Sequence, residues 1–319
     1  MEKDSLILRV NKYKFTKIMQ IFKYLKYRIS NIIKHNRTLI GVGNLISSRK
    51  DYQNIKYLSE VEMKIYSQSG EDGIIDFLLD RINKKRNIKF VEIGVGDYEE
   101  ANTRFIVETK PSTGLLIDYC EELKYIKKRN FYWQNQLYIE NTKISPENIN
   151  SILIKHDFLN DFDLLSLDID GLDYWVLKEI NLSKASIVIC EYNPLFGSSK
   201  SVSIPNINNF SRDDYSKCYF GASLKAFISL MKEKNFLFLG TNSFCNNAFF
   251  VNQRFSDTFK NIIISDNKNH TDFVFREIMF SSKKNYKKKL LNKIKNLKLI
   301  ELKKNESKTV AELFDLNEE

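Results

Sequence analysis

Four carboxylates and a carboxamide crowd two short stretches of this sequence, Asp168-Ile169-Asp170-Gly171-Leu172-Asp173 and Glu191-Tyr192-Asn193. Acids at this density suit either a general base that takes a hydroxyl proton or an all-oxygen site for Mg2+ or Ca2+. Asp168, Asp170 and Glu191 are the candidate catalytic and metal-ligating set, with Asp168 nearest the chemistry. Asp170 and Asp173 would also serve as caps of a helix beginning at Tyr174, a purely structural use. Histidine offers less. His35, His156 and His270 are the only three, none sits in a motif, and His156 is the best placed of them.

An earlier constellation looks built for binding. The apolar run Phe90-Val91-Glu92-Ile93 reads as a buried strand and stops at Gly94-Val95-Gly96-Asp97. Glycines there let the chain turn at a strand end and let a ligand approach the backbone, while Glu92 or Asp97 offers a carboxylate. A second run, Gly114-Leu115-Leu116-Ile117, ends in Asp118. In nucleotide-binding βαβ units, an acid about twenty residues past the glycines accepts hydrogen bonds from ribose hydroxyls; a cap for the helix Glu121–Lys128 is the alternative use. Ahead of the glycines, Tyr66-Ser67-Gln68-Ser69-Gly70-Glu71-Asp72-Gly73 holds more polar groups than the cap of one helix needs.

These groups must be positioned by strands alternating with helices. Helices are expected over 74–82, 99–109, 121–128, 146–154, 174–180 and 224–234, and strands over 90–93, 114–118, 136–140, 163–170 and 185–190. Such alternation predicts an α/β fold: a Rossmann-like, mostly parallel seven-stranded sheet with helices on both faces. Phe236–Gly240 and Asn246–Val251 read as a terminal antiparallel hairpin. Between them and the fifth strand, residues 194–220 form a Ser/Asn-rich loop long enough to suggest function.

Outside this region the chain is basic. Of a net charge of +10, residues 1–50 contribute +10 and Lys283–Lys304 contribute +9, so the rest carries −9. That profile excludes a basic domain made for specific nucleic-acid binding. Phe15, Ile18, Phe22, Leu25, Ile29 and Ile32 recur at helical spacing among lysines and arginines, which predicts an amphipathic helix for peripheral membrane contact through residues 11–35 or for packing on protein. The expected organisation is a basic helical extension and connector over 1–60, the main domain over 61–260, and a lysine-rich helical tail over 261–319. Four dispersed cysteines and no apolar run of membrane-spanning length point to the cytoplasm. Oligomeric state is not encoded in any pattern here.

The wording of Tyr66–Gly73, Phe90–Gly96, Ser166–Gly171 and Glu191-Tyr192-Asn193 resembles the FkbM-like branch of the class I S-adenosylmethionine-dependent methyltransferases, over residues 62–255. The resemblance implies S-adenosylmethionine as cofactor and O-methylation of a sugar hydroxyl in a surface-polysaccharide or glycoconjugate pathway. It places the methionine part of the cofactor near Glu92, Gly94 and Gly96, the ribose on Asp118, and Gln68 and Glu71 close by. One departure is Tyr98, which stands where the loop's third glycine would be. Two other readings stay open from the residues. Asp168-Ile169-Asp170 also looks like the metal-binding acid pair of a nucleotide-sugar glycosyltransferase, and basic ends on a binding fold also suit a non-catalytic scaffold.

Overall fold

A strand covered by helices on both faces must be largely apolar at successive positions; the runs ending at Ile117 and Cys190 are so throughout, and those ending at Ile93 and Leu167 are broken only by Glu92 and Ser166. The computed structural model describes residues 36–52, 54–84, 87–159, 161–262 and 286–316. It contains β1 (Ile88–Ile93), β2 (Ser112–Asp118), β3 (Gln136–Asn141), β4 (Leu164–Leu167), β5 (Ile187–Glu191), β6 (Val202–Ser203), β7 (Phe236–Thr241) and β8 (Asn247–Asn252). All but β6 form one seven-stranded sheet in the order β3-β2-β1-β4-β5-β8-β7. Strands β1 to β5 run parallel, and β8 pairs antiparallel with both β5 and β7. The Rossmann-like sheet with its closing hairpin is thus present.

Side chains on a strand alternate between faces, and the core divides accordingly. Val91 and Ile93 of β1, Leu115 and Ile117 of β2, and Val188 and Cys190 of β5 join one apolar cluster, while Phe90, Leu116, Ile187 and Ile189 join the other. The first cluster is covered by α4 (Ile149–Lys155), α5 (Asp173–Glu179) and α6 (Leu224–Glu233), and the second by α2 (Glu71–Arg81) and α3 (Arg104–Thr109). This alternation also decides where acids point. Glu92 shares the face of Phe90 and stands beside Ser166 of β4 in register.

Several elements differ from expectation. Residues 36–60, expected as a connector, begin with α1 (Asn36–Arg49), whose Gly41, Gly43 and paired serines blur the helical pattern. The stretch Glu99–Thr109 turns helical only at Arg104, and Glu121–Lys128 is a 3-10 helix. The lysine-rich tail holds α7 (Tyr286–Lys293) and α8 (Val310–Phe314), but between them β9 (Lys298–Glu301) and β10 (Glu306–Thr309) make a hairpin. That hairpin pairs with β6 in a small antiparallel sheet. Leu290, Leu291, Ile294, Leu299, Val310 and Leu313 tie the tail into the first core cluster.

The chain divides into two units, residues 1–48 and 49–319. The expected amphipathic helix over 11–35 lies outside the described residues, as do His35 and His270. No described helix is long and apolar enough to cross a membrane.

Candidate functional site

The carboxyl ends of parallel strands leave their loops to form a crevice, and here a cleft of about 960 Å3 opens there. Its floor comes from Gly94 and Gly96 after β1, Asp118 and Tyr119 after β2, Thr142 after β3 and Asp168 to Leu172 after β4; Asn208 to Asp213 and Lys217 form a wall. Gly94 has φ +90°, and a Cβ there would lie 1.5 Å from the carbonyl oxygen of Asp168. Only glycine allows the β1 loop to lie against the β4 loop this closely. Gly96, at φ +55°, meets nothing within 4 Å, and its amide donates to Asp118 Oδ2 at 2.6 Å. Asp118 thereby fastens the glycine turn while its remaining acceptor capacity faces the cleft.

Asp168 also faces the cleft. Its carboxyl lies beside that of Glu191 at the end of β5, with one oxygen of each within 4.8 Å of the other, and Glu191 Oε2 is buried with no hydrogen-bond partner. Burial, and then the negative charges of its neighbours, push both carboxyls well above the usual carboxylate range. Two like charges so close favour retention of one proton by the pair. Asp170, in the left-handed region at φ 54°, pairs with Arg212. Asp173 accepts the amides of Ile169 at 2.8 Å and Gly171 at 2.9 Å, so it holds the loop from within; burial pushes it up to about 6. Asp168, Asp170 and Glu191 each offer one oxygen within 4.8 Å of the others.

The long segment after β5 folds over this loop. Phe210 rests against Gly171, where a Cβ would come within 2.9 Å of its ring, and stacks on Tyr215 at 5.5 Å. The Gly221 amide donates to the Gly171 carbonyl at 2.8 Å. Arg212, Asn208, Tyr119 and Thr142 were not singled out in the sequence. The strand-end positions of Tyr119 and Thr142 were the available signal; the pairing of Arg212 with Asp170 spans 42 residues and leaves no local trace.

Other predicted site residues lie elsewhere. Glu92, 3% exposed, accepts from the Asn102 amide at 2.8 Å, the Thr103 amide at 3.1 Å and the Thr103 hydroxyl. Glu71, fully buried, accepts from the Ser69 amide and from the side-chain amides of Asn242 and Asn247. Neither lines the cleft, nor does the exposed Gln68. Asn193 donates to the carbonyls of Cys218 and Phe220 and accepts from Leu195, a structural cap. His156 sits at the end of α4 against Glu140 at 2.8 Å and is not part of the cleft.

The Methyltransferase FkbM domain matches residues 49–237, more than half of the chain. No curated protein matches it. Among solved structures, the N-terminal domain of EvdMO1 with SAH bound is 8% identical with TM-score 0.36, over 54% of this chain and 75% of that one. The same domain in the presence of SAH and D-fucose is 9% identical with TM-score 0.37, over 68% and 95%. A precorrin-6y C5,15-methyltransferase from Geobacter metallireducens GS-15 is 11% identical with TM-score 0.32, over 56% and 78%. Likenesses this distant carry no functional weight; the matched domain does, and it decides against the glycosyltransferase reading of Asp168-Ile169-Asp170. The chain belongs to the FkbM methyltransferase family and is an S-adenosylmethionine-dependent methyltransferase.

Proposed function

We propose that this enzyme O-methylates a hydroxyl of a saccharide or glycoconjugate in a surface-polysaccharide pathway, in the cytoplasm, with Asp168 taking the hydroxyl proton. The observation that carries the reading is Asp168 lining the cleft with Glu191 beside it, one Glu191 oxygen being buried and unpartnered. A sulfonium methyl is already activated, so the protein contributes in-line positioning and a base. The acceptor oxygen attacks the methyl carbon, the carbon–sulfur bond breaks, S-adenosylhomocysteine leaves neutral, and the proton passes to the acid pair. Gly94 and Gly96 would receive the methionine part of the cofactor and Asp118 its ribose. The polar wall at Asn208, Asn209 and Ser211 suits a hydroxyl-rich acceptor. Asp170, fastened to Arg212, would hold that wall to the β4 loop.

A second reading places Mg2+ on Asp168, Asp170 and Glu191, favoured by the spacing of their oxygens. The ion would lower the pKa of the acceptor hydroxyl. In competition with it, Arg212 already neutralises Asp170. Activity lost in EDTA and restored by Mg2+ would select the metal.

The deciding experiment supplies methyl-labelled S-adenosylmethionine with a panel of saccharides, peptides and nucleic acids. Label in a saccharide ether supports the proposal. Transfer only to an amine, a peptide or a nucleic acid refutes it, as does the absence of any S-adenosylmethionine binding by calorimetry.

A further inference from the structure

A second cleft, about 320 Å3, opens between the small antiparallel sheet and the start of α6, and none of its lining residues lines the larger one. Five lysines face it, Lys200, Lys225, Lys303, Lys304 and Lys308, against Glu301 and Glu312. The two acids are engaged: Glu301 binds Lys308 at 2.7 Å and Lys304 at 3.4 Å, and Glu312 accepts the Thr309 amide and hydroxyl in a capping box. No described carboxylate pairs with Lys200, Lys225 or Lys303.

These three lysines reach the cleft from three different elements, the segment before β6, the first turn of α6 and the β9–β10 turn, and the Lys200 ammonium lies 5.9 Å from the centroid of the Phe314 ring. Converging like charges is unfavourable, and a lysine in the first turn of a helix opposes the helix dipole. The first turn of α6 holds no acid to offset it. Both costs vanish when a multivalent anion occupies the cleft. Ser199 and Ser201 also line it and add hydroxyl donors. No aromatic ring lines it to stack a base, so the complement is a compact anion, not a nucleic-acid strand. The tail's core residues hold the lysines on a folded surface.

We infer that this lysine cleft is a binding site for a phosphoryl or diphosphoryl group, separate from the methyl-transfer site. The inference does not depend on the acceptor of the methyl group.

The test uses the full chain and its Lys225→Gln/Lys303→Gln double variant, titrated with inorganic pyrophosphate by calorimetry. Both are also sedimented with phosphatidylcholine vesicles with and without phosphatidylglycerol. Pyrophosphate binding is expected to weaken with salt and to fall at least about tenfold in the double variant, with S-adenosylhomocysteine binding unchanged. Added binding to anionic vesicles, lost in the same variant, assigns the phosphate to a lipid headgroup; pyrophosphate binding without it assigns a soluble compound. The inference is overturned if wild type binds neither probe, or if the double variant, which keeps residues 11–35, binds both as wild type does.

Discussion

Two sets of carboxylates lie around one sheet and are used in opposite ways, Glu71 and Glu92 buried, Asp168 and Glu191 partly exposed. Glu71 and Glu92 each accept three hydrogen bonds from protein donors, and both acids stand off the cleft. Asp168 and Glu191 lie beside each other, and Glu191 Oε2 has no partner. A carboxylate saturated by protein donors holds chain segments together, here residues 69–71 to the β7–β8 turn and β1 to the start of α3. One left short of donors keeps its lone pairs for a proton or ligand at the expense of stability. Burial alone therefore does not mark a catalytic acid; the unfilled acceptor does.

The strongest way to break this contrast is to exchange the roles. Asp168→Asn should lower kcat by about 10²- to 10⁴-fold, the range of a lost general base. S-adenosylhomocysteine affinity should change little. Turnover near wild type, measured with any accepted substrate, would remove Asp168 from the chemistry. Glu71→Ala should do the reverse, lowering stability by about 2–4 kcal/mol because the Ser69, Asn242 and Asn247 donors lose their acceptor. Thermal unfolding and kcat measured on the same samples would tell the two classes of acid apart.

The sequence carried this distinction only in part. Strands β1, β2, β4 and β5 were legible because parallel strands covered on both faces are largely apolar, and Asp118, Asp168 and Glu191 were legible as acids at their ends. Which face an end residue takes was not. Glu92 follows the parity of Phe90, one position away from the parity that leads through Ile93 toward the glycines. Glu71 finds its partners 171 and 176 residues onward. The small sheet was hidden for another reason. β6 has two residues, and β9 and β10 show alternation too brief to separate from a lysine-rich helix.

A subtler test uses pH. Burial, helped by the charge of Asp72, pushes Glu92 up to about 7 from 4.5 despite its hydrogen bonds to Thr103 and Asn102. The folded state then binds a proton more tightly than the unfolded state. The resulting stabilisation is fully present below 4.5 and is lost as pH rises through about 7. It amounts to on the order of 3 kcal/mol at most. Stability of wild type relative to Glu92→Gln should therefore decline between these two values and be level outside them. A flat difference in chemical denaturation across the window would show that the hydrogen bonds hold Glu92 charged throughout.

Asp118 is the intermediate case and gives the smallest, sharpest comparison. Its Oδ2 is taken by the Gly96 amide and its Oδ1 by the Tyr119 amide, yet it lines the cleft with lone pairs in reserve. If its main use is to hold the glycine turn, Asp118→Asn keeps one acceptor for Gly96 and should leave cofactor affinity near wild type. If the ribose hydroxyls also donate to it, loss of the charge should weaken S-adenosylmethionine binding about tenfold, since hydrogen bonds to a charged group are worth roughly 1.5–3 kcal/mol. We expect the second result, with thermal stability almost unchanged. The comparison with S-adenosylhomocysteine makes the measurement specific: the two ligands share the ribose and differ at sulfur, so a lost ribose contact weakens both by the same factor. Unequal losses would place the effect of Asp118 at the methyl group instead.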